Sequence, residues 1–169
     1  MWKKLLVIIL LFYLLALLQN SFFAHFNLFG TAPNLVFIFF FLLVFFEKKE
    51  NNYQVILFAI IAGAFLDIFS YTYIGPSIVL LVIIGILLKN VQSLLKNRED
   101  NRPFIYFLPL FIIFLLAYNL LLDLYLYFLD PNKIAVIIST KIIFSLIYNS
   151  FIASVSFYLY KKISSFYRK

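Results

Sequence analysis

The fold class this sequence predicts is an all-α integral membrane protein, a bundle of six transmembrane helices with both chain ends in the cytoplasm. Three observations predict it. The 169 residues are 65% hydrophobic and 12% charged, whereas a soluble domain is about 45–50% apolar and about 25% charged. The apolar residues fall in six runs separated by short polar or Gly/Pro-marked breaks. The basic residues cluster in alternate breaks and at the two ends. The spans use up this length and leave no room for a separate soluble domain. No Cys occurs, which excludes disulfides, thiolate metal sites and Cys nucleophiles. The net charge of +7 reads as orientation in the membrane and not as nucleic-acid binding.

A span needs about 20 apolar residues. The first covers residues 5–23, behind Trp2, Lys3 and Lys4. It looks like a signal peptide, but a cleavage site needs small residues at positions −3 and −1. Ala24 is preceded two residues earlier by Phe22, so the run is read as an uncleaved span. Gln19, Asn20 and Ser21 mark its far end, and a loop without Lys or Arg follows. Pro33 stands where a helix can begin, because its missing N–H would be unpaired there anyway. The second span, 33–46, is short and rich in Phe, and is expected to be exposed. A polar turn from Glu47 to Asn52 leads to the third span, 53–71, in which Ala59, Gly63 and Asp67 recur every fourth residue. Such positions share one helix face, and small residues let helix backbones approach closely in lipid. That face, or the exposed Phe-rich second span, is the candidate partner surface.

Gly75-Pro76 breaks the chain and Pro76 opens the fourth span, 76–88. The polar stretch from Lys89 to Arg102 reads as a membrane-surface loop in contact with anionic lipid, or as a docking loop. The fifth span, 103–129, is long enough to tilt. Asp130-Pro131-Asn132 reads as a helix start, with Asp as cap, and the sixth span covers 134–160. With the N-terminus in the cytoplasm, twelve of the fourteen Lys and Arg residues lie on the cytoplasmic side; Lys133 lies opposite and Lys141 within a span. That asymmetry is what orients the six spans. The 23 Phe residues read as lipid-facing filler.

Three ionisable residues lie inside spans: Asp67, Asp123 and Lys141. A charge at bilayer depth costs about 2.5–3.5 kcal/mol on insertion scales and is normally paired or turned toward protein. Asp123 lies roughly 10 Å of helix before Asp130, and Lys141 roughly 12 Å after Lys133. All three therefore fall in the outer half of the membrane, with Asn119 one turn from Asp123. The expectation is an Asp123–Lys141 pair acting as a structural clamp. Asp67 either joins it or bonds to Gln19, Asn20 or a loop backbone. His25, the one histidine, lacks the companions a metal site needs. No nucleophile, phosphate-cradling Gly loop or metal motif accompanies the two acids, so neither an enzyme nor a cofactor is expected.

Three stretches resemble the MreD family of the bacterial rod-shape machinery. Leu18-Gln19-Asn20-Ser21 closes the first span. Gly30-Thr31-Ala32-Pro33-Asn34-Leu35 is similar to the family's Gly-x-x-Pro-Asp-Leu, with Asn34 where Asp is common. Gly63-Ala64-Phe65-Leu66-Asp67-Ile68-Phe69-Ser70, with Gly75 after it, is similar to Gly-x-x-x-Asp-x-x-Ser and a later Gly; here Pro76 follows Gly75, where the family often differs. The resemblance covers roughly residues 5–88. It implies a non-enzymatic subunit of the cytoplasmic membrane that binds MreC. Through MreC it would reach RodA, a class B penicillin-binding protein and, indirectly, MreB, in lateral peptidoglycan synthesis and cell-shape control. It also implies a helical fold related to the substrate-binding S components of vitamin transporters. That relation supplies the competing reading, a small-molecule-binding transporter subunit. Against it, the first span offers only Ala16 where S components use Ala-x-x-x-Ala. The first outer loop also lacks the convergent polar groups of a ligand pocket.

Overall fold

The structure, a computed structural model, describes residues 2–26, 30–47, 52–70, 73–94, 104–129 and 140–166. Among the described residues there are six helices: α1 (Trp2–Ser21), α2 (Leu35–Phe46), α3 (Asn52–Phe69), α4 (Pro76–Leu94), α5 (Phe104–Leu129) and α6 (Thr140–Phe166). Helices α3 to α6 are long and apolar enough to cross a membrane, while the apolar stretches Leu5–Ser21 and Leu35–Phe46 are shorter.

Helix α2 stands at the centre and packs against all five others. The five form an open ring around it: α1 on α3, α3 on α4, α4 on α5, α5 on α6. Among the described residues α6 does not reach α1. The contacts also give direction. Gln19 lies by Val36 and Phe12 by Phe39; Phe37 meets Tyr118 while Phe45 meets Phe107; Asn34 meets Asn149 while Phe46 meets Tyr160. So α1 and α5 run against α2, and α6 runs with it.

The expectation of an exposed second span is overturned. Nine of the twelve residues of α2 are buried. The reason is that a helix apolar on every side has no polar stripe to turn outward and fits the middle of a bundle as well as lipid. The phenylalanines are likewise not mere lipid-facing filler: Phe12, Phe37, Phe40, Phe41, Phe107, Phe111 and Phe157 are among the largest fully buried side chains. Lipid tails are as apolar as Leu, so burial alone does not hold helices together in a membrane, and close packing must. Edge-to-face ring pairs supply part of it. Phe41 meets Phe111 at 5.3 Å and 85°, and Phe45 meets Phe107 at 5.1 Å and 85°. Such pairs contribute about 0.5–1.5 kcal/mol each beyond area.

Three boundaries differ from the expectation. Helix α2 starts at Leu35 and not at Pro33, because Asn34 takes the cap: its Oδ1 accepts the Phe37 N–H at 2.9 Å. Helix α4 continues to Leu94, so Lys89 belongs to the helix and not to a loop. Helix α6 extends to Phe166. The Asp130-Pro131-Asn132 helix start and most of the Lys89 to Arg102 stretch lie outside the described residues.

Helices α3 and α4 approach most closely. A Cβ on Gly63 would stand 2.4 Å from the Ile78 Cα and 2.6 Å from its N, and one on Gly85 would stand 2.8 Å from Val55 Cγ1. Ala59, Gly63 and Asp67 are all buried. The small-residue face proposed above for a partner is therefore internal, and α4 is what it meets.

Candidate functional site

Asp67 is 2% exposed at the C-terminal end of α3. Its Oδ2 accepts the Gly75 N–H at 2.7 Å and its Oδ1 accepts the Ser77 N–H at 3.0 Å. Pro76, between them, has no N–H, so one carboxyl group takes the donors on both sides of it at the start of α4. A helix N-terminus presents unpaired N–H groups and a partial positive charge. The acid is thus accommodated by backbone donors. Gly75 adopts φ +127° with open space around it, a conformation that favours glycine for its backbone freedom. Ser70 Oγ donates to the Asp67 carbonyl at 3.0 Å. Of the alternatives read from sequence, the loop backbone is the one that Asp67 meets.

The chain of contacts continues across the bundle. Ser77 Oγ and Tyr118 Oη share a hydrogen bond of 3.0 Å, both residues being buried. The Tyr118 ring lies 5.2 Å from that of Phe37 on α2. At the start of α2, the Asn34 N–H donates to Asn149 Oδ1 at 2.6 Å. Asn149 is 1% exposed, and its Nδ2 donates to the Ser145 carbonyl at 2.8 Å. Gln19 Oε1 makes a long contact, 3.5 Å, with the Val36 N–H. Pro33 is buried beside this junction. One polar layer therefore draws on all six helices.

The opposite end of α2 is held from α4. Lys89, 6% exposed, donates from Nζ to the Glu47 carbonyl at 2.7 Å, and Gln92 Nε2 donates to the Phe45 carbonyl at 3.2 Å. Tyr160 of α6 stacks on Phe46 at 4.4 Å. At 12 residues, or roughly 18 Å, α2 is shorter than a hydrocarbon core of about 30 Å. Backbone groups at that depth must be satisfied within the protein. Asn34, Lys89 and Gln92 do this at the two ends of α2.

Asn119 and Asp123 are half-buried on α5. The side chain of Lys141 lies outside the described residues, and so does the expected Asp123–Lys141 pair. Asp67 is taken up at the α3–α4 junction. His25 Nδ1 donates to the Ser21 carbonyl at 2.6 Å, on the surface. Sequence reading missed Asn149, Ser77, Tyr118 and Lys89. Asn149 had a signal, an amide within the apolar run from Ile142 to Ile152. Lys89 was hidden because it opens a polar stretch. What this arrangement does chemically is cap helices and tie them to one another.

Residues 3–169 match the family model described as rod shape-determining protein MreD. No curated protein and no solved structure matches the chain. The match takes in the second half as well as the first, which the three sequence motifs did not reach, and the chain belongs to the MreD family of rod shape-determining proteins.

Proposed function

We propose that this chain is a non-enzymatic scaffold of the cell-elongation complex, spanning the bacterial cytoplasmic membrane six times with both ends inside. In this reading it binds MreC, and through MreC it connects to RodA, a class B penicillin-binding protein and the MreB filament. The observation that carries the reading is the family match over residues 3–169. The use of Asp67, Asn34, Ser77 and Asn149 in helix caps and inter-helix bonds agrees with it. A molecule that works by adhesion needs a rigid frame, and caps of this kind supply one. The Asp123–Lys141 clamp belongs to the same proposal. Lys141→Ala lowers folded yield and adding Asp123→Asn partly restores it; absence of rescue removes the pair.

The test is purification from mild detergent with mass spectrometry of bound proteins and bound small molecules. MreC in the eluate is the expected result. An ATP-binding cassette module arriving with a vitamin would replace the scaffold with the transporter reading, and turnover of a substrate by the purified chain would replace it with an enzyme.

A further inference from the structure

Helices α5 and α6 outrun the other four at one end of the bundle. Ser77 Oγ and Tyr118 Oη share a hydrogen bond, which sets the start of α4 level with Tyr118. From Tyr118, α5 continues to Leu129, roughly 16 Å of helix. The bond between Asn34 and Asn149 sets the start of α2 level with Asn149, and α6 reaches back from there to Thr140, roughly 13 Å. By contrast α3 ends at Phe69, just past Asp67, and α1 ends at Ser21, just past Gln19, each roughly 3 Å on. Burial marks the same step. Among the described residues, none on α5 beyond Tyr118 and none on α6 before Asn149 is buried. The exposed side chains on that part of α5 are leucines, tyrosines and Phe128, while Asn119 and Asp123 are half-buried. Around the ends of α1 and α3, polar Asn20, Ser21, His25 and Ser70 are already exposed.

We propose that the bundle meets a bilayer of two thicknesses: full around α5 and α6, and thinned in the outer leaflet around α1 to α4, where phospholipid headgroups descend to the level of Asn34 and Asp67. A hydrocarbon core is about 30 Å thick. The exposed apolar side of α5, from Ile105 to Phe128, measures roughly 34 Å and crosses it. On α1 the exposed apolar side runs from Leu6 to Leu18, roughly 18 Å, between exposed Lys3 and exposed Asn20. A flat bilayer would sink the α1–α2 and α3–α4 turns among acyl chains, and irregular backbone exposed to lipid at that depth does not occur. Thinning the bilayer beside a short span costs little by comparison. Tyrosines stand at both levels. Tyr125 and Tyr127 are exposed near the end of α5 and Tyr73 in the α3–α4 turn, and Tyr is enriched where membrane meets water. The proposal rests on the six-span topology and on no partner protein.

The chain has no Cys, so single-cysteine variants of the full chain carry one nitroxide label each. Phe26→Cys and Tyr73→Cys report the two turns, and Leu121→Cys and Phe128→Cys report α5; all four positions are exposed. Leu121 stands roughly 4 Å of helix past Tyr118, close to the height of the turns. In dioleoylphosphatidylcholine vesicles, accessibility to a water-soluble nickel chelate relative to oxygen reads the depth of each label. The expected result is a headgroup reading at Phe26, Tyr73 and Phe128, with ratios several-fold above that of Leu121, which reads as acyl chain. In thinner dimyristoleoyl vesicles the Leu121 ratio rises toward the other three. A ratio at Leu121 equal to that at either turn in the thicker vesicles overturns the proposal. If both are low, the turns lie in hydrocarbon; if both are high, the end of α5 stands in water. Turn labels that neither reagent reaches overturn it too, because protein then covers the turns. A membrane-impermeant maleimide tests the topology separately. Labelling of Tyr73→Cys from the cytoplasmic face alone removes the six-span reading, and the outer leaflet as the place of thinning falls with it.

Discussion

Asp67 is one acid set against two backbone donors that flank a proline, and this decides which substitutions it tolerates. An Asn keeps a single accepting oxygen and turns an NH₂ group toward the other N–H. A Leu keeps neither acceptor. A buried N–H left unsatisfied costs about 1–3 kcal/mol. We therefore expect Asp67→Asn to lower the melting temperature of the detergent-purified protein, and Asp67→Leu to lower it further or to abolish folded yield. A wild-type melting curve for Asp67→Asn would mean that the carboxyl group serves something other than the fold. The residue was legible in the sequence because an acid inside an apolar run is conspicuous. Its partners were legible only as one of several alternatives, because backbone N–H groups at the start of α4 have no letter. Ser77 and Asn149 escaped for a related reason: uncharged polar groups are cheaper to bury than ions and stand out less.

At the scale of elements, the six runs and the polar breaks between them were legible, since run length and turn residues carry that information. The position of α2 was not. Core-facing and lipid-facing surfaces are both apolar, so hydrophobicity does not say which of six helices goes in the middle. Length was the available signal: a helix too short to reach both membrane surfaces is suited to a place where other helices meet its ends. Lys89 follows from this. Its ammonium donates to a carbonyl at the C-terminal end of α2, where the helix dipole is negative. Lys89→Met keeps much of the side-chain length and removes the donor. We expect Lys89→Met to reduce thermal stability in detergent by about 1–3 kcal/mol, and Lys89→Arg, which retains donors, to lie closer to wild type. Equal melting of all three proteins would show that the end of α2 needs no donor from Lys89.

For the whole molecule, direction and charge make separate statements. The contacts set α1 antiparallel to α2 and α6 parallel to it. The start of α1 and the end of α6 therefore lie at the same end of the bundle, which is also the end that carries Lys89. Which face of the membrane that end meets is a question for the basic residues. Twelve of fourteen, counted over the whole sequence, belong to that end when the helices alternate, and an excess of Lys and Arg marks the cytoplasmic side. Reporters active only in the cytoplasm should thus score at both termini, and reporters active only outside should score when inserted after Gly30 or Asp130. Opposite signals from the two ends would require an odd number of crossings, with one helix of the bundle lying in the membrane without spanning it. Given its length, α2 is the helix to suspect in that event, and the same insertion after Gly30, moved next to Lys49, would identify it: the two sites would then report the same side.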